Sequence, residues 1–185
     1  MRGGTFYSFC FTVLLSSVCA ALLAFAHTQW APRIQANERY ARTRAIVDAL
    51  GLLGEEATRK QVIGLFDRQV QLKRRGEMDV YEGREDGDRL VGYAVDLVAQ
   101  GKYGPIRGIL AIAPDEQSIK SLRIYQQNET PGLGGRIGDP VWLAGFRGKP
   151  LVTDGVPGII ISNTVKGPHV VDAITGASQI GRAHV

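Results

Sequence analysis

The feature that most constrains this chain is an uncharged run of 21 residues near its N-terminus. Residues 6–26 read FYSFCFTVLLSSVCAALLAFA and contain no acidic or basic side chain. A helix of about 20 apolar residues crosses a hydrocarbon core of ~30 Å while making all its backbone hydrogen bonds internally. The run therefore predicts a single membrane-spanning helix that anchors whatever follows it.

A cleaved signal peptide is the alternative interpretation of this run. Ala24, Phe25 and Ala26 resemble a small-x-small cleavage site. The run is longer than a usual signal-peptide core and only Arg2 precedes it, which favours an uncleaved anchor. Arginines on its C-terminal side argue weakly against export of that side, but long domains cross a membrane regardless of flanking charge. The charges therefore leave the orientation open. These arginines are Arg33, Arg39, Arg42 and Arg44.

Charge and cysteine usage exclude several classes of function. The net charge is +4, but basic and acidic residues are interleaved, so no basic stripe predicts binding to nucleic acid. Cys10 and Cys19 both lie in the apolar run and, about 13 Å apart on a helix, they cannot bridge each other. The rest of the chain has no cysteine and no metal-ligand spacing, so we predict no metal site. The three histidines form no catalytic dyad: His27, His169 and His184.

Helical periodicity dominates the residues after the apolar run. We predict a short break at 27–32, because it contains Pro32, and then a helix at 33–50 that stops at Gly51. A second helix is predicted at 55–70. Residues 74–89 are polar and interrupted by glycine, so we predict a loop there.

The pattern then changes to that of strands. Short β-type runs at 90–98, 106–113 and 119–127 are separated by turn residues and predict an antiparallel meander. Asp139 and Pro140 predict the start of a brief helix over 140–146. Further strands are predicted at 158–162 and 169–171. The predicted fold class is α+β, with a twisted, mainly antiparallel sheet packed by helices.

Two stretches of the sequence are suited to holding a ligand. The first, ETPGLGG, has a proline that fixes one φ and glycines that permit a close approach by a flat ring. The second, DAITGAS, has small residues and hydroxyls at a predicted helix start, where free N–H groups favour a phosphate. Taken alone, each stretch is better explained as a structural turn or an ordinary capped helix.

Taken together, the two stretches resemble one known family. It is the FMN-binding domain that occurs in one component each of the sodium-translocating NADH:quinone reductase (NqrC) and of the Rnf electron-transport complex (RnfG). The family motif is Ser or Thr, Gly, Ala, then Thr or Ser, and its last residue bonds FMN through a phosphoester made by a separate flavin transferase. The resemblance implies Ser178 as the attachment residue and Thr175, Gly176 and Ala177 as the rest of the motif, with Asp172 as the preceding acidic residue.

The same resemblance implies that the glycine-rich loop lies beside the flavin. The loop residues concerned are Glu129, Thr130, Pro131, Gly132, Leu133 and Gly134. A serine at 178, where threonine is commoner in the family, is a departure that puts the efficiency of attachment in doubt.

The resemblance also implies a function and a location. The chain would be a membrane-anchored electron-transfer subunit with covalent FMN in a respiratory ion-translocating complex, not catalytic alone. Its partners would be the other subunits, the flavin transferase and membrane lipid. It would lie in the bacterial inner membrane as a single-pass protein, with its soluble domain periplasmic. Residues 33–53, 62–70 and 104–123 are more similar to NqrC, whereas the short distance from anchor to motif is more similar to RnfG. A non-enzymatic anchored periplasmic binding module is the third possibility.

These considerations predict four segments. They are an anchor at 1–27, a helical linker region at 28–73, an FMN-binding domain at 74–179 and a non-native tail at 180–185. The tail sequence IGRAHV is what a common sequencing adapter gives when translated. We therefore expect the natural sequence to be interrupted near Gln179, and Arg182 and His184 to carry no function.

Overall fold

The computed structural model describes residues 3–54, 56–85, 88–153 and 155–174. The chain divides into two compact units, Met1–Tyr40 and Ala41–Val185. Its helices are α1 (Gly3–Ala49), α2 (Arg59–Gln69) and α3 (Pro140–Ala144), with a short 3-10 helix at Gly134–Gly138 before α3. Its strands are β1 (Val70–Arg75), β2 (Met78–Glu85), β3 (Arg89–Gln100), β4 (Pro105–Ile112), β5 (Ile119–Gln126), β6 (Val152–Thr153), β7 (Val156–Pro157), β8 (Ile160–Ile161) and β9 (Val170–Val171).

The first unit consists of the N-terminal part of α1. Side chains at 6–25 are exposed, and the helix is long and apolar enough to cross a membrane. Length and composition alone support this, and a signal sequence passes the same test. The predicted break at 27–32 is wrong, because α1 runs through it with Pro32 inside the helix. One proline removes one backbone hydrogen bond and costs about 3 kcal/mol, which a helix of 47 residues tolerates.

The C-terminal turns of α1 belong to the second unit and are its most buried helical segment. Ile46, Val47 and Leu50 are each no more than 1% exposed. Gly51 then adopts a left-handed φ of 74°, and the N–H of Leu52 donates to the carbonyl of Val47 at 3.0 Å. This αL stop satisfies a terminal carbonyl of the helix. The predicted helix end at Gly51 is confirmed.

The second unit is built on a five-stranded antiparallel sheet in the order β1-β2-β3-β4-β5. The predicted meander and the α+β class are confirmed. The predicted loop at 74–89 is wrong, since β1 and β2 pair across most of it and turn at Gly76, which has a φ of 63°. The sequence does not show the alternating apolar pattern of strands here, because β1 buries only Val70 and because one of the residues that β2 buries is the charged Glu82.

Charged side chains fasten the end of α1 to the sheet. The Arg42 guanidinium pairs with the Asp96 carboxylate through both oxygens, with Nε donating to Oδ1 at 2.9 Å, and it also donates to the Tyr81 hydroxyl at 2.7 Å. The hydrogen bond to Asp96 raises the pKa of Arg42. Nearer the helix end, Arg123 Nε donates to Asp48 Oδ2 at 2.6 Å. The C-terminal end of α1 is thereby held to β2, β3 and β5.

The chain after β5 forms short elements, of which α3 and β9 pack against β5, a strand at the edge of the sheet. The pair β6–β7 is antiparallel, and the pair β8–β9 is parallel and falls within the strands predicted at 158–162 and 169–171. A small core joins α3 and β9 to β5. Its buried members are Ile119, Leu122, Leu143, Phe146 and Val171. Because Val171 packs in this core, the core fixes the position of the chain directly before Asp172, the first residue of the DAITGAS stretch.

Candidate functional site

Helix α3 provides one wall of the candidate site. The Asp139 side chain accepts a hydrogen bond from the N–H of Val141 at 2.9 Å, and Pro140 occupies the first helical position. This confirms the predicted cap, which satisfies an N–H that the helix leaves free. The helix presents Trp142 to the chain leaving β9, where the indole Nε1–H donates to the carbonyl of Asp172 at 2.7 Å. Residue 172 is therefore held directly against α3.

A cavity of about 370 Å³ lies between α3 and residues 170–174. Its volume falls within the range of about 300–1,000 Å³ that is usual for small-molecule sites. Two basic side chains, Arg136 and Lys149, and two acidic side chains, Asp139 and Asp172, line it beside Trp142. The cavity thus combines an aromatic wall with groups that bind phosphate or hydroxyls.

The glycine-rich loop leads directly into this cavity. The carbonyl of Thr130 accepts from the N–H of Leu133 at 3.1 Å and from the N–H of Gly135 at 3.0 Å. Gly132 has a φ of 77°, as the glycine pattern predicts. The loop continues into the 3-10 helix, which carries Arg136 to the cavity wall. Leu133 is about half exposed, whereas Gly134 is buried.

Glu129, at the start of the loop, is buried with 8% exposure. Its Oε1 atom accepts from the N–H of Tyr103 at 3.2 Å, in the turn between β3 and β4. Glu129 therefore links the start of the loop to the turn between β3 and β4.

The predicted attachment motif lies outside the described residues. Thr175, Gly176, Ala177 and Ser178 follow Ile174, the last described residue, which lines the cavity. Their roles stay predictions, as do the flavin contacts of Thr130, Pro131 and the rest of the loop. Of the predicted site residues, Asp172 is the one that the described structure places in the cavity wall.

The cavity residues that were missed in the sequence include Arg136, Trp142 and Lys149. A weak signal existed for two of them, because Arg136 directly follows the glycine loop and Trp142 lies three residues after the Asp139 cap. Nothing in the sequence connected Lys149 with the motif. Its Nζ donates to the carbonyl of Pro168 at 2.8 Å, a contact that depends on the tertiary fold.

The described part of the chain contains no group of three or more His, Cys, Asp or Glu side chains placed to hold a metal ion.

Comparison with known proteins identifies the domain around this cavity. Residues 101–183 match the family model of the FMN-binding domain. This segment, a little under half of the chain, is therefore similar to the FMN-binding domain family. The matched segment begins in the turn that contacts Glu129, contains the loop and the cavity, and includes the DAITGAS stretch.

Curated relatives of this chain include several named as the Na(+)-translocating NADH-quinone reductase component NqrC. The NqrC protein of Neisseria meningitidis serogroup A is 36% identical over 105 residues, covering 54% of this chain and 40% of the relative. The NqrC protein of Haemophilus ducreyi is 21% identical over 208 residues, covering 90% of this chain and 81% of the relative. The chain thus spans about two fifths of the Neisseria relative that it matches.

A solved structure has the same fold as this chain. The crystal structure of Shewanella oneidensis NqrC matches with a TM-score of 0.66 and 22% identity, covering 77% of this chain and 86% of that chain. At this identity the match concerns the fold, and it agrees with the α+β architecture described above.

Proposed function

We propose that this chain is a membrane-anchored flavoprotein of the NqrC type, a component of an NADH-quinone reductase, with FMN bonded to the Ser178 hydroxyl. The observation that carries the proposal is the position of the cavity at the entrance to the TGAS motif. Ile174 lines the cavity and Thr175 begins the motif, so the proposed attachment residue follows the cavity wall by four positions in the sequence. The name shared by the curated relatives supports this type.

The side chains of the cavity fit FMN in their chemistry. The Trp142 ring and the 83%-exposed Val141 offer an apolar surface to a flat ring system. Arg136 and Lys149 supply positive charge for the phosphate. Asp139 and Asp172 supply hydrogen-bond acceptors for the ribityl hydroxyls.

The protein's task would be to hold the cofactor and to adjust its reduction potential. FMN, when bound, supplies one-electron and two-electron redox chemistry. A phosphoester to Ser178 prevents loss of the cofactor to solvent, and the hydrogen bond from Trp142 to Asp172 fixes the chain just before the attachment motif. Oxidation of NADH and translocation of the ion belong to other subunits of the complex in this proposal.

We further propose that α1 anchors the domain in the bacterial inner membrane, with the domain on the periplasmic side. The exposed apolar side chains at 6–25 support the anchor, because a long exposed apolar surface is typical of a helix that contacts lipid. In cell fractionation, the protein should sediment with membranes and retain its N-terminus. A soluble species beginning at His27 would show that the run is a signal peptide.

The proposal is tested by covalent labelling in cells. The chain is coexpressed with a flavin transferase, denatured, and examined for flavin fluorescence in the gel. It is tested as it stands and with residues 180–185 replaced by the C-terminal segment of the Neisseria relative. We expect a fluorescent band at the size of the chain that survives denaturation. A folded protein that is never labelled in either form would overturn the flavoprotein proposal and favour a non-enzymatic anchored binding module.

An electron carrier of the RnfG type is the second candidate, favoured by the short distance between anchor and motif. Affinity purification of the labelled chain from its native membranes separates the two. Copurification with the other NADH-quinone reductase proteins supports the first candidate, and copurification with the other Rnf proteins supports the second.

A further inference from the structure

Two glycines from distant parts of the chain meet at the Glu129 carboxylate. A Cβ added at Gly101 would lie 2.4 Å from Glu129 Oε1, and a Cβ added at Gly134 would lie 2.9 Å from Oε2. Cβ atoms essentially never approach other atoms this closely. Neither glycine has a left-handed φ. At Gly101 the added Cβ would also lie 2.8 Å from the carbonyl oxygen of Gly104, and at Gly134 it would also lie 3.1 Å from the Cβ of Glu129. Contacts with Glu129 and with the turn itself, rather than backbone conformation, therefore favour glycine at the two positions.

The turn between β3 and β4 is built around this carboxylate. The N–H of Gly101 donates to the carbonyl of Gly104 at 2.9 Å, which closes the turn. Inside the turn, the N–H of Tyr103 points at Glu129 and donates to Oε1 at 3.2 Å. Burying a carboxylate is costly unless hydrogen bonds compensate it, so its partners restrict where Glu129 can lie.

The backbone of Glu129 fixes the start of the glycine-rich loop. Its N–H donates to Gln127 Oε1 at 2.6 Å, and the carbonyl of the next residue, Thr130, receives the N–H groups of Leu133 and Gly135. A displacement of Glu129 therefore moves the origin of the loop. The 3-10 helix that presents Arg136 to the cavity follows without a break.

We propose that Glu129 is a positioning residue for the flavin site, and that the turn at 101–104 is the support on which it rests. Glu129 holds the loop, and through the loop it sets the place of Arg136 at the cavity. The turn is separated from the glycine-rich loop by strands β4 and β5, yet through Glu129 it becomes part of the site. The part of this inference that concerns the flavin rests on the proposed function, whereas the part that concerns the loop does not.

Hydrogen–deuterium exchange of the flavin-free chain tests the positioning itself. Glu129→Ala removes the acceptor, and Gly101→Ala displaces it from the other side of the contact. Both should raise amide exchange at 130–138 about tenfold or more, as expected for loss of one hydrogen bond to a charged group. Exchange in β4 and β5 should stay as in the wild type. Gly138→Ala is the matched control, because its Cβ meets nothing within 4 Å.

Two further variants keep the test decisive. Glu129→Gln retains an oxygen that can accept from Tyr103 and should restore near wild-type exchange. In Gly134→Ala the added methyl group crowds the carboxylate from the side of the loop, and this variant should reproduce the effect of Gly101→Ala. It takes the place of Glu129→Ala in the test if that variant fails to fold. Unchanged exchange at 130–138 in the folded Gly101→Ala and Gly134→Ala variants would overturn the inference.

The flavin-labelled chain tests the consequence for the site. The Gly101→Ala variant should shift the reduction potential and the visible spectrum of the covalent flavin, while Gly138→Ala should leave both unchanged. A labelled Gly101→Ala variant with the wild-type potential and spectrum would remove the turn from the flavin site. If the wild type carries no flavin, the proposed function fails, and the exchange measurement still decides whether Glu129 holds the loop.

Discussion

The two regions of the second unit are held together in different ways. In the sheet, strands of 6 to 12 residues pair in continuous ladders, and residues such as Ile109 and Ala94 have no exposed surface. After β5, paired strands are two residues long, and Ile160 in β8 is 51% exposed. The sheet therefore carries most of the stability. The cavity region depends on a small core and on individual hydrogen bonds, which leaves its geometry more sensitive to single side chains.

The largest expected effect is the loss of a side chain in the sheet core. Ile109→Ala removes three carbons from a fully buried position in β4 and should lower the free energy of unfolding by about 3–4 kcal/mol. Ile160→Ala makes the same chemical change in the exposed β8 and should cost less than about 1 kcal/mol. Urea unfolding of both variants measures the difference. Equal losses would show that the C-terminal region shares the cooperative core of the sheet.

A second prediction concerns the response of the sheet to acid. The 5%-exposed Glu82 side chain accepts from Lys73 Nζ at 2.7 Å, and this hydrogen bond, with a smaller contribution from Arg84, lowers the pKa of Glu82. A lowered pKa means that ionised Glu82 stabilises the fold above its ordinary pKa of about 4.3, and that this contribution is lost as the pH falls through the folded value.

The variant Glu82→Gln isolates this contribution. The wild type should be more stable than the variant at pH 7, and the difference should shrink as the pH falls from about 5 to 3. Glu77→Gln, at an exposed turn position next to Gly76, is the matched control. Thermal unfolding at a series of pH values measures both. A difference that stays constant over this range would contradict the assignment.

A third prediction concerns the cavity, where a small change in stability is expected. Trp142→Phe keeps an aromatic ring but removes the N–H that donates to Asp172, and should cost about 1 kcal/mol. Because that hydrogen bond holds residue 172, three positions before the attachment motif, covalent labelling should fall more than stability does. Trp30→Phe, on the exposed face of α1, is the control. Labelling of Trp142→Phe at the wild-type rate would show that the bond is structural alone.

The difference between the sheet and the cavity region also explains which features could be predicted from the sequence. The strands β3, β4 and β5 alternate apolar residues between turn signals, so their pattern is local and was read correctly. The strand β2 was missed because its buried Glu82 is compensated by Lys73 on the neighbouring strand, a pairing that local pattern does not reveal. The continuation of α1 through Pro32 was missed because one proline is a probable, not an obligatory, helix boundary.

The sequence predicted the motifs of the candidate site but not the side chains that line its cavity. The glycine pattern gave the left-handed Gly132 and the Asp139 cap opened α3, because both are local effects of backbone geometry. Trp142 and Lys149 reach the cavity through contacts with residues 19 to 30 positions away. Such contacts are set by the packing of α3 and β9 on the sheet, and no spacing in the sequence encodes them directly.

The most direct test of the central claim is mass spectrometry of the tryptic peptide 167–182 after coexpression with a flavin transferase. We predict a mass increase from one FMN phosphoester, located at residue 178 by fragmentation. Ser178→Thr and Thr175→Ser should retain the modification, and Ser178→Ala should abolish it, since only the hydroxyl at 178 forms the bond. Modification of the Ser178→Ala chain at the wild-type level would contradict the site, and an unmodified wild-type peptide, also after replacement of residues 180–185, would contradict the account itself.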